Sequence, residues 1–94
     1  MRITYHFKDR LEERLPTALM HYTPTQIAVA YYQATEEVTL VGGNTYRVTQ
    51  LDGIEFGLGY KHDQELVITT FIAPHNIEIG RRPSFNCIRK DLTK

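Results

Sequence analysis

The stretch TYRVTQLDGIEFGLGYK, residues 45–61, decides the fold. Two runs of alternating apolar and polar residues flank its central dipeptide, Asp52-Gly53. An Asp-Gly pair between alternating runs is among the strongest short-range signals of a hairpin with a two-residue turn. We therefore predict two antiparallel strands joined at this turn. Alternation places four large side chains of the second strand on one face of the sheet: Ile54, Phe56, Leu58 and Tyr60.

Turn residues also occur on both sides of this hairpin. Gly42-Gly43-Asn44 precedes it and supplies positive φ at low cost, and His62-Asp63-Gln64 follows it. An alternating run leads into the first turn, and the apolar run 66–72 leaves the second. Residues Glu37 to Ile72 are therefore predicted to form a four-stranded antiparallel meander.

The chain before this sheet shows helical signals. Three apolar residues recur at every fourth position and predict a first helix that ends before Pro16: Phe7, Leu11 and Leu15. Thr23 can cap a second helix, because Gln26 stands three residues later as in a capping box. We place this second helix at residues 24–34.

These elements predict an α+β fold, with two N-terminal helices packed on the four-stranded antiparallel meander sheet. Residues 1–73 would form this single domain, with a short strand near residues 2–5. Beyond Pro74 the pattern dissolves, and residues 74–94 are predicted to be an extended C-terminal arm packed on or extending from the domain. This arm could include an edge strand near residues 76–79.

The composition is that of an ordinary globular protein. The chain has 94 residues, of which 41% are hydrophobic and 23% charged. Cys87 is the only cysteine, so no internal disulfide can form. No apolar run approaches the roughly 20 residues that span a bilayer, so we expect no membrane partner and a cytoplasmic location.

Charge and histidine distribution limit the partners. The formal net charge of zero argues against strong non-specific nucleic-acid binding. Residues 74–94 nevertheless carry five basic residues against two acidic ones, and a local basic patch can grip phosphates. The four histidines are scattered, with no pair at ligand spacing on one element, so we expect no metal and no other cofactor.

Three polar residues repeat along the first predicted helix. His6, Arg10 and Arg14 are spaced four residues apart, which stacks their side chains in one stripe beside the apolar one. Histidine suits proton transfer near neutral pH, and arginine suits phosphate oxygens. The same residues also fit a solvated helix face, in which the arginines pair with nearby carboxylates.

This stripe resembles the first helix of small families within the RelE-like toxin superfamily. The residues that carry the resemblance are His6-Phe7-Lys8-Asp9-Arg10-Leu11-Glu12-Glu13-Arg14, and the late strand with Thr69-Thr70 is similar to a strand of such families. The resemblance implies one or two N-terminal helices before a curved antiparallel sheet. It also implies a toxin-type endoribonuclease that cleaves RNA without a metal.

Such cleavage starts with attack of the 2′-hydroxyl on the adjacent phosphate, and it needs a base, an acid and cations. His6 would be the base or acid, and Arg10 and Arg14 would clamp the phosphate. Arg47 would add a third catalytic cation only if the turn at Asp52-Gly53 takes in a third residue. A strict two-residue turn puts Arg47 opposite Leu58, on the face covered by the helices.

Five further residues are candidates for substrate binding. Tyr60 could stack on a base, the two threonines could orient a phosphate by hydrogen bonds, and two adjacent arginines in the predicted arm could bind phosphates. These candidates are Tyr60, Thr69, Thr70, Arg81 and Arg82.

A second hypothesis is a non-catalytic interaction protein, such as an inhibitor or assembly factor, that binds a protein partner through its sheet edge and tail. A nuclease should gather His6, Arg10, Arg14 and Arg47 around one concave surface open to RNA. An interaction module should leave them dispersed or held in ion pairs. Besides RNA, the sequence leaves open a protein partner (an antitoxin or host factor) and a homodimer.

Overall fold

Asp52 and Gly53 form the predicted two-residue turn. Their φ angles are 55° and 79°, and the type I′ turn requires both residues in this left-handed region. Leu51 pairs with Ile54 directly across the turn, and the register that follows places Arg47 opposite Leu58.

The computed structural model describes residues 1–82 and 86–93. Its strands are β1 (Arg2–Ile3), β2 (Glu36–Leu40), β3 (Thr45–Leu51), β4 (Ile54–His62), β5 (Leu66–Ile72) and β6 (Cys87–Asp91). Its α-helices are α1 (Tyr5–Arg14), α2 (Pro24–Val29) and α3 (Pro74–Gly80). Two short 3₁₀ helices lie at Thr17–Leu19 and Ala30–Gln33.

The six strands form one mixed sheet in the order β1-β5-β4-β3-β2-β6. The predicted four-stranded antiparallel meander sheet is therefore wrong. β1 pairs in parallel with β5 at one edge, and β6 pairs antiparallel with β2 at the other. Neither pairing follows from a residue period, because β1 has only two residues and β6 pairs with a strand far away in the sequence.

The prediction of two helices and an extended C-terminal arm is also wrong, since residues 74–94 contribute a third helix and β6. Residues 83–85 and 94 of that predicted arm lie outside the described residues. Pro74 starts α3 at the first helical position, where its missing N–H costs nothing. Where an edge strand was expected near residues 76–79, the two isoleucines Ile77 and Ile79 imitate a strand period inside this helix.

β4 alternates between two different environments. Phe56 and Leu58 point to the side that we call the core face, where α1, α2 and the 3₁₀ helix at Ala30–Gln33 pack. The Phe56 ring stacks on that of Phe71 with 5.3 Å between centroids. The rest of this core is apolar and largely supplied by the helices: Phe7, Leu11, Leu19, Ile27, Ala28 and Tyr31, with Ile68 from β5.

The opposite side, which we call the groove face, carries Gly57 and Gly59. α3 covers only part of it, where Ile77 packs against Val48 and Tyr46 in a second, smaller core. A Cβ on Gly57 would lie 2.9 Å from Ile77 Cδ1, so this glycine allows α3 to approach the sheet. Among the described residues, no helix is long and apolar enough to cross a membrane.

Candidate functional site

A groove of about 600 Å³ lies on the part of the groove face that α3 leaves open. α1 contributes His6, the β2–β3 turn contributes Asn44, β3 contributes Thr45 and Tyr46, and the other polar lining residues come from β4 and β5. Those strands supply Lys61, His62, Thr69 and Thr70. The groove therefore combines two imidazoles and one ammonium group with several hydroxyls, among them those of Thr69 and Thr70.

A β-bulge shapes the floor of this groove. Gly59 pairs with Thr70, but the next residue, Tyr60, pairs with Ile68, so Thr69 is an extra residue in β5. A Cβ on Gly59 would collide with the Cγ2 methyl of Thr70. A side chain at this position would force the Thr70 side chain to move, so the floor beside Thr70 is formed by the Gly59 backbone.

A second concavity of about 640 Å³ adjoins the groove on the side of β1. The two share Lys61 and Thr69 as lining residues. The charge of this neighbouring surface is mixed, because Arg2 donates a hydrogen bond to Glu65 at 3.0 Å between exposed side chains. Lys61 is thus the cation that both concavities share.

Arg10 and Arg14 do not line the groove. His6 lies in the first turn of α1, and at 1.5 Å per residue the two arginines lie roughly 6 and 12 Å farther along the helix axis. Arg10 donates to Glu13 at 2.8 Å, and Arg14 is exposed in the last helical turn. The predicted stripe exists as a helix face, but only its first member reaches the groove.

Arg47 lies on the core face, as the strict two-residue turn requires. Its guanidinium carbon is 4.4 Å from the ring centroid of Tyr31 and 5.5 Å from that of Tyr60. Its Nε is 3.7 Å from a Glu37 carboxylate oxygen and has no hydrogen-bond partner among the described residues. Arg47 therefore serves packing and charge balance on the side away from the groove.

Tyr60 belongs mainly to the same cluster. Its ring packs edge-on against Tyr31, and its hydroxyl donates to the Glu37 carboxylate. Burial, reinforced by this hydrogen bond to Glu37, raises the pKa of Tyr60 to about 12. Although Tyr60 borders the groove, its ring is engaged on the core face and is not free to stack on a base.

Arg81 and Arg82 lie outside the groove as well. Arg81 makes a two-pronged hydrogen bond to Glu55, at 2.7 and 2.9 Å, and is 3.6 Å from Glu36. This hydrogen-bonded guanidinium lowers the pKa of the Glu55 carboxyl. Arg82 is exposed just after α3. Arg81 therefore ties the end of α3 to β4.

The sequence indicated no role for Lys61 and predicted that His62 lies in a turn, yet both residues line the groove. Lys61 continues the period of two set by Gly57 and Gly59, and this signal could have identified it. His62 is the last residue of β4 and lines the groove. In residues 1–82 and 86–93, no three His, Cys, Asp or Glu side chains come together as a metal site would require.

No protein-family model, curated protein or solved structure matches the chain. The resemblance to RelE-like toxins stays a prediction that rests on the residues of α1 and β5.

Proposed function

We propose that the chain is a metal-independent endoribonuclease of the RelE-like toxin type, with its active site in the groove beside His6. The observation that carries the proposal is that His6, Lys61 and His62 line one groove together with two threonine hydroxyls. Acid, base, cation and neutral donors are the groups that RNA cleavage needs. RNA is accordingly the proposed partner.

The reaction assigns a task to each group. One imidazole accepts the proton of the 2′-hydroxyl as its oxygen bonds to phosphorus, and the other protonates the 5′-oxygen as the P–O5′ bond breaks. Lys61 offsets the negative charge that develops on the phosphorane oxygens. Thr69 and Thr70 donate hydrogen bonds to the same oxygens. The products are a 2′,3′-cyclic phosphate and a 5′-hydroxyl.

This proposal revises the set of residues that the sequence suggested. His6, Thr69 and Thr70 remain in the active site, and Lys61 and His62 join them. The arginines Arg10, Arg47 and Arg81 leave it, because each pairs with a carboxylate at a distance from the groove. Arg14 and Arg82 leave it because they do not line the groove.

The test is cleavage of single-stranded RNA by purified protein in the presence of a chelator. We expect cyclic-phosphate products from the wild type and a rate at least about 100-fold lower for His6→Ala, the usual size of a lost acid or base. His75→Ala is the matched control, because His75 is exposed on α3 and outside the groove. An inactive wild type, or equal rates for all three proteins, would disprove the proposal.

A different observation favours a protein-binding function as the second candidate. At the β2–β6 edge of the sheet, Val41 is 77% exposed and Ile88 is 73% exposed. Edge strands with exposed apolar residues tend to pair with other chains. Molar mass measured by light scattering across a hundredfold range of concentration tests whether a second copy binds there. A homodimer that Ile88→Lys returns to monomer would support this candidate, and a monomer at every concentration would count against self-association.

A further inference from the structure

Thr4 connects β1 to α1 and makes hydrogen bonds both to β5 and to α1. Its backbone N–H donates to the Ile68 carbonyl at 3.2 Å, which extends the pairing of β1 with β5. Its hydroxyl accepts a hydrogen bond from the Phe7 N–H at 3.1 Å and so caps α1. The same hydroxyl donates to the Thr69 carbonyl at 3.2 Å.

The second of these hydroxyl bonds reaches the bulge in the floor of the groove. The extra residue of a bulge is left out of the regular ladder, so its backbone groups need other partners. The hydroxyl of Thr4 supplies a donor to the Thr69 carbonyl. A short side chain that accepts from a helix N-terminus and donates to a carbonyl through one oxygen is available only in serine and threonine.

This hydroxyl joins two of the elements that line the groove, α1 and β5. His6 stands two residues after Thr4 in the first turn of α1, Thr69 is the extra residue of β5, and Thr70 is its neighbour opposite Gly59. We infer that Thr4 is a positioning residue that fixes the His6 imidazole relative to the threonine hydroxyls of the groove. The inference rests on the proposed function, since it assigns Thr4 to the same site.

The expected effect follows from how strongly rates depend on position. A displacement of about 1 Å in a catalytic group can lower a rate about 100-fold. A positioning defect should lower kcat while KM changes little, because the groove and its cation remain. Loss of the cap alone should lower the melting temperature by a few degrees and leave kcat unchanged.

The experiment compares Thr4→Gly with Thr4→Ser and with Thr23→Gly. Glycine is a tolerable cap that carries no hydroxyl, and serine keeps both hydroxyl bonds. Thr23 is the matched control, because its hydroxyl caps α2 by accepting from the Gln26 N–H at 3.2 Å, and α2 contributes no residue to the groove. We expect kcat for RNA cleavage to fall about 10- to 100-fold in Thr4→Gly. Thr4→Ser and Thr23→Gly should retain the wild-type kcat.

A second measurement needs no substrate. The imidazole proton signals of His6 in the NMR spectrum should shift in Thr4→Gly and keep their wild-type positions in Thr23→Gly. If Thr4→Gly matches Thr23→Gly in kcat and in the His6 signals, the role of Thr4 is overturned while the nuclease stands. If the wild type cleaves no RNA, the proposed function fails, and the His6 signals alone decide whether Thr4 positions the imidazole.

Discussion

The core face and the groove face of the sheet differ in packing, although both include residues of β4. In β4, Phe56 and Leu58 are fully buried on the core face. The glycines that alternate with them lie on the groove face, where Gly57 lets α3 approach the sheet and Gly59 lines the open groove. The large core that includes Phe71 holds two helices on one side. On the other side, within residues 1–82 and 86–93, one short helix docks mainly through Ile77 and leaves the groove beside it open. Alternate residues of one strand thus contribute to the hydrophobic core on one face and leave room for a ligand on the other.

Charged residues divide in the same way. On the core face, Arg47 packs against the rings of Tyr31 and Tyr60 and lies beside the Glu37 carboxylate, so its charge is partly buried and has a counter-charge. On the groove face, Lys61 is exposed at the groove. Arg47 and Lys61 are both cations, and it is the face of the sheet on which each lies that decides which of them could contact a phosphate.

The largest effect should come from the adjacent residues Phe71 and Thr70, which point to opposite faces. Phe71→Ala removes a fully buried ring and should lower the free energy of unfolding by about 3–5 kcal/mol. Thr70→Ala, on the groove face, should lower it by about 0.5 kcal/mol or less. Urea unfolding of both variants measures the difference. Equal losses would show that the two faces do not differ as described.

A second pair of variants compares the two cations. Arg47→Ala removes the cation beside the Glu37 carboxylate and the contacts with two tyrosine rings. The free energy of unfolding should therefore fall by about 2 kcal/mol. RNA cleavage per folded molecule should stay at the wild-type rate. Lys61→Ala should do the reverse, with stability kept within about 0.5 kcal/mol and cleavage reduced. A stable Arg47→Ala protein that no longer cleaves RNA would show that Arg47 takes part in the reaction.

Local signals made part of the fold predictable. The turn at Asp52-Gly53 and the capping box of Thr23 and Gln26 each depend on residues a few positions apart, and both form as their sequences indicate. The sheet as a whole was not predictable in this way. In the β2–β6 pairing Leu40 lies opposite Cys87, and no residue period reports a contact over that separation. The parallel pairing of β1 depends on two residues, too few to show any period.

The candidate site was partly predictable for a similar reason. Helical spacing showed that His6 shares a face with Arg10 and Arg14, but it did not show that only the N-terminal end of α1 reaches the groove. The position of Arg47 depended on the length of one turn, and the two-residue turn decided it. The bulge at Thr69 depends on backbone pairing between β4 and β5, for which the side chains give no direct signal.

The smallest expected effect concerns the ion pair that fastens α3 on the groove face. Arg81 and Glu55 are about 40% exposed, so solvent screening limits their pair to about 1 kcal/mol or less in the free energy of unfolding at pH 7. Because the Arg81 guanidinium lowers the pKa of Glu55 in the folded state, this contribution is present above the ordinary glutamate pKa of about 4.3. It is lost as the pH falls through the lowered value, since protonation removes the charge that Arg81 binds.

Arg81→Ala should therefore cost more stability at pH 7 than in acid, where its unfolding curve should approach that of the wild type. Glu55→Gln should show the same narrowing, and the double variant should lose less than the sum of the single losses. Arg82→Ala is the matched control, since Arg82 is the exposed neighbour of Arg81 and should leave the curve unchanged at either pH. Chemical unfolding of the four variants at the two pH values measures all of this. A cost of Arg81→Ala in acid that equals or exceeds its cost at pH 7 would show that the Glu55 carboxylate contributes no attraction to Arg81.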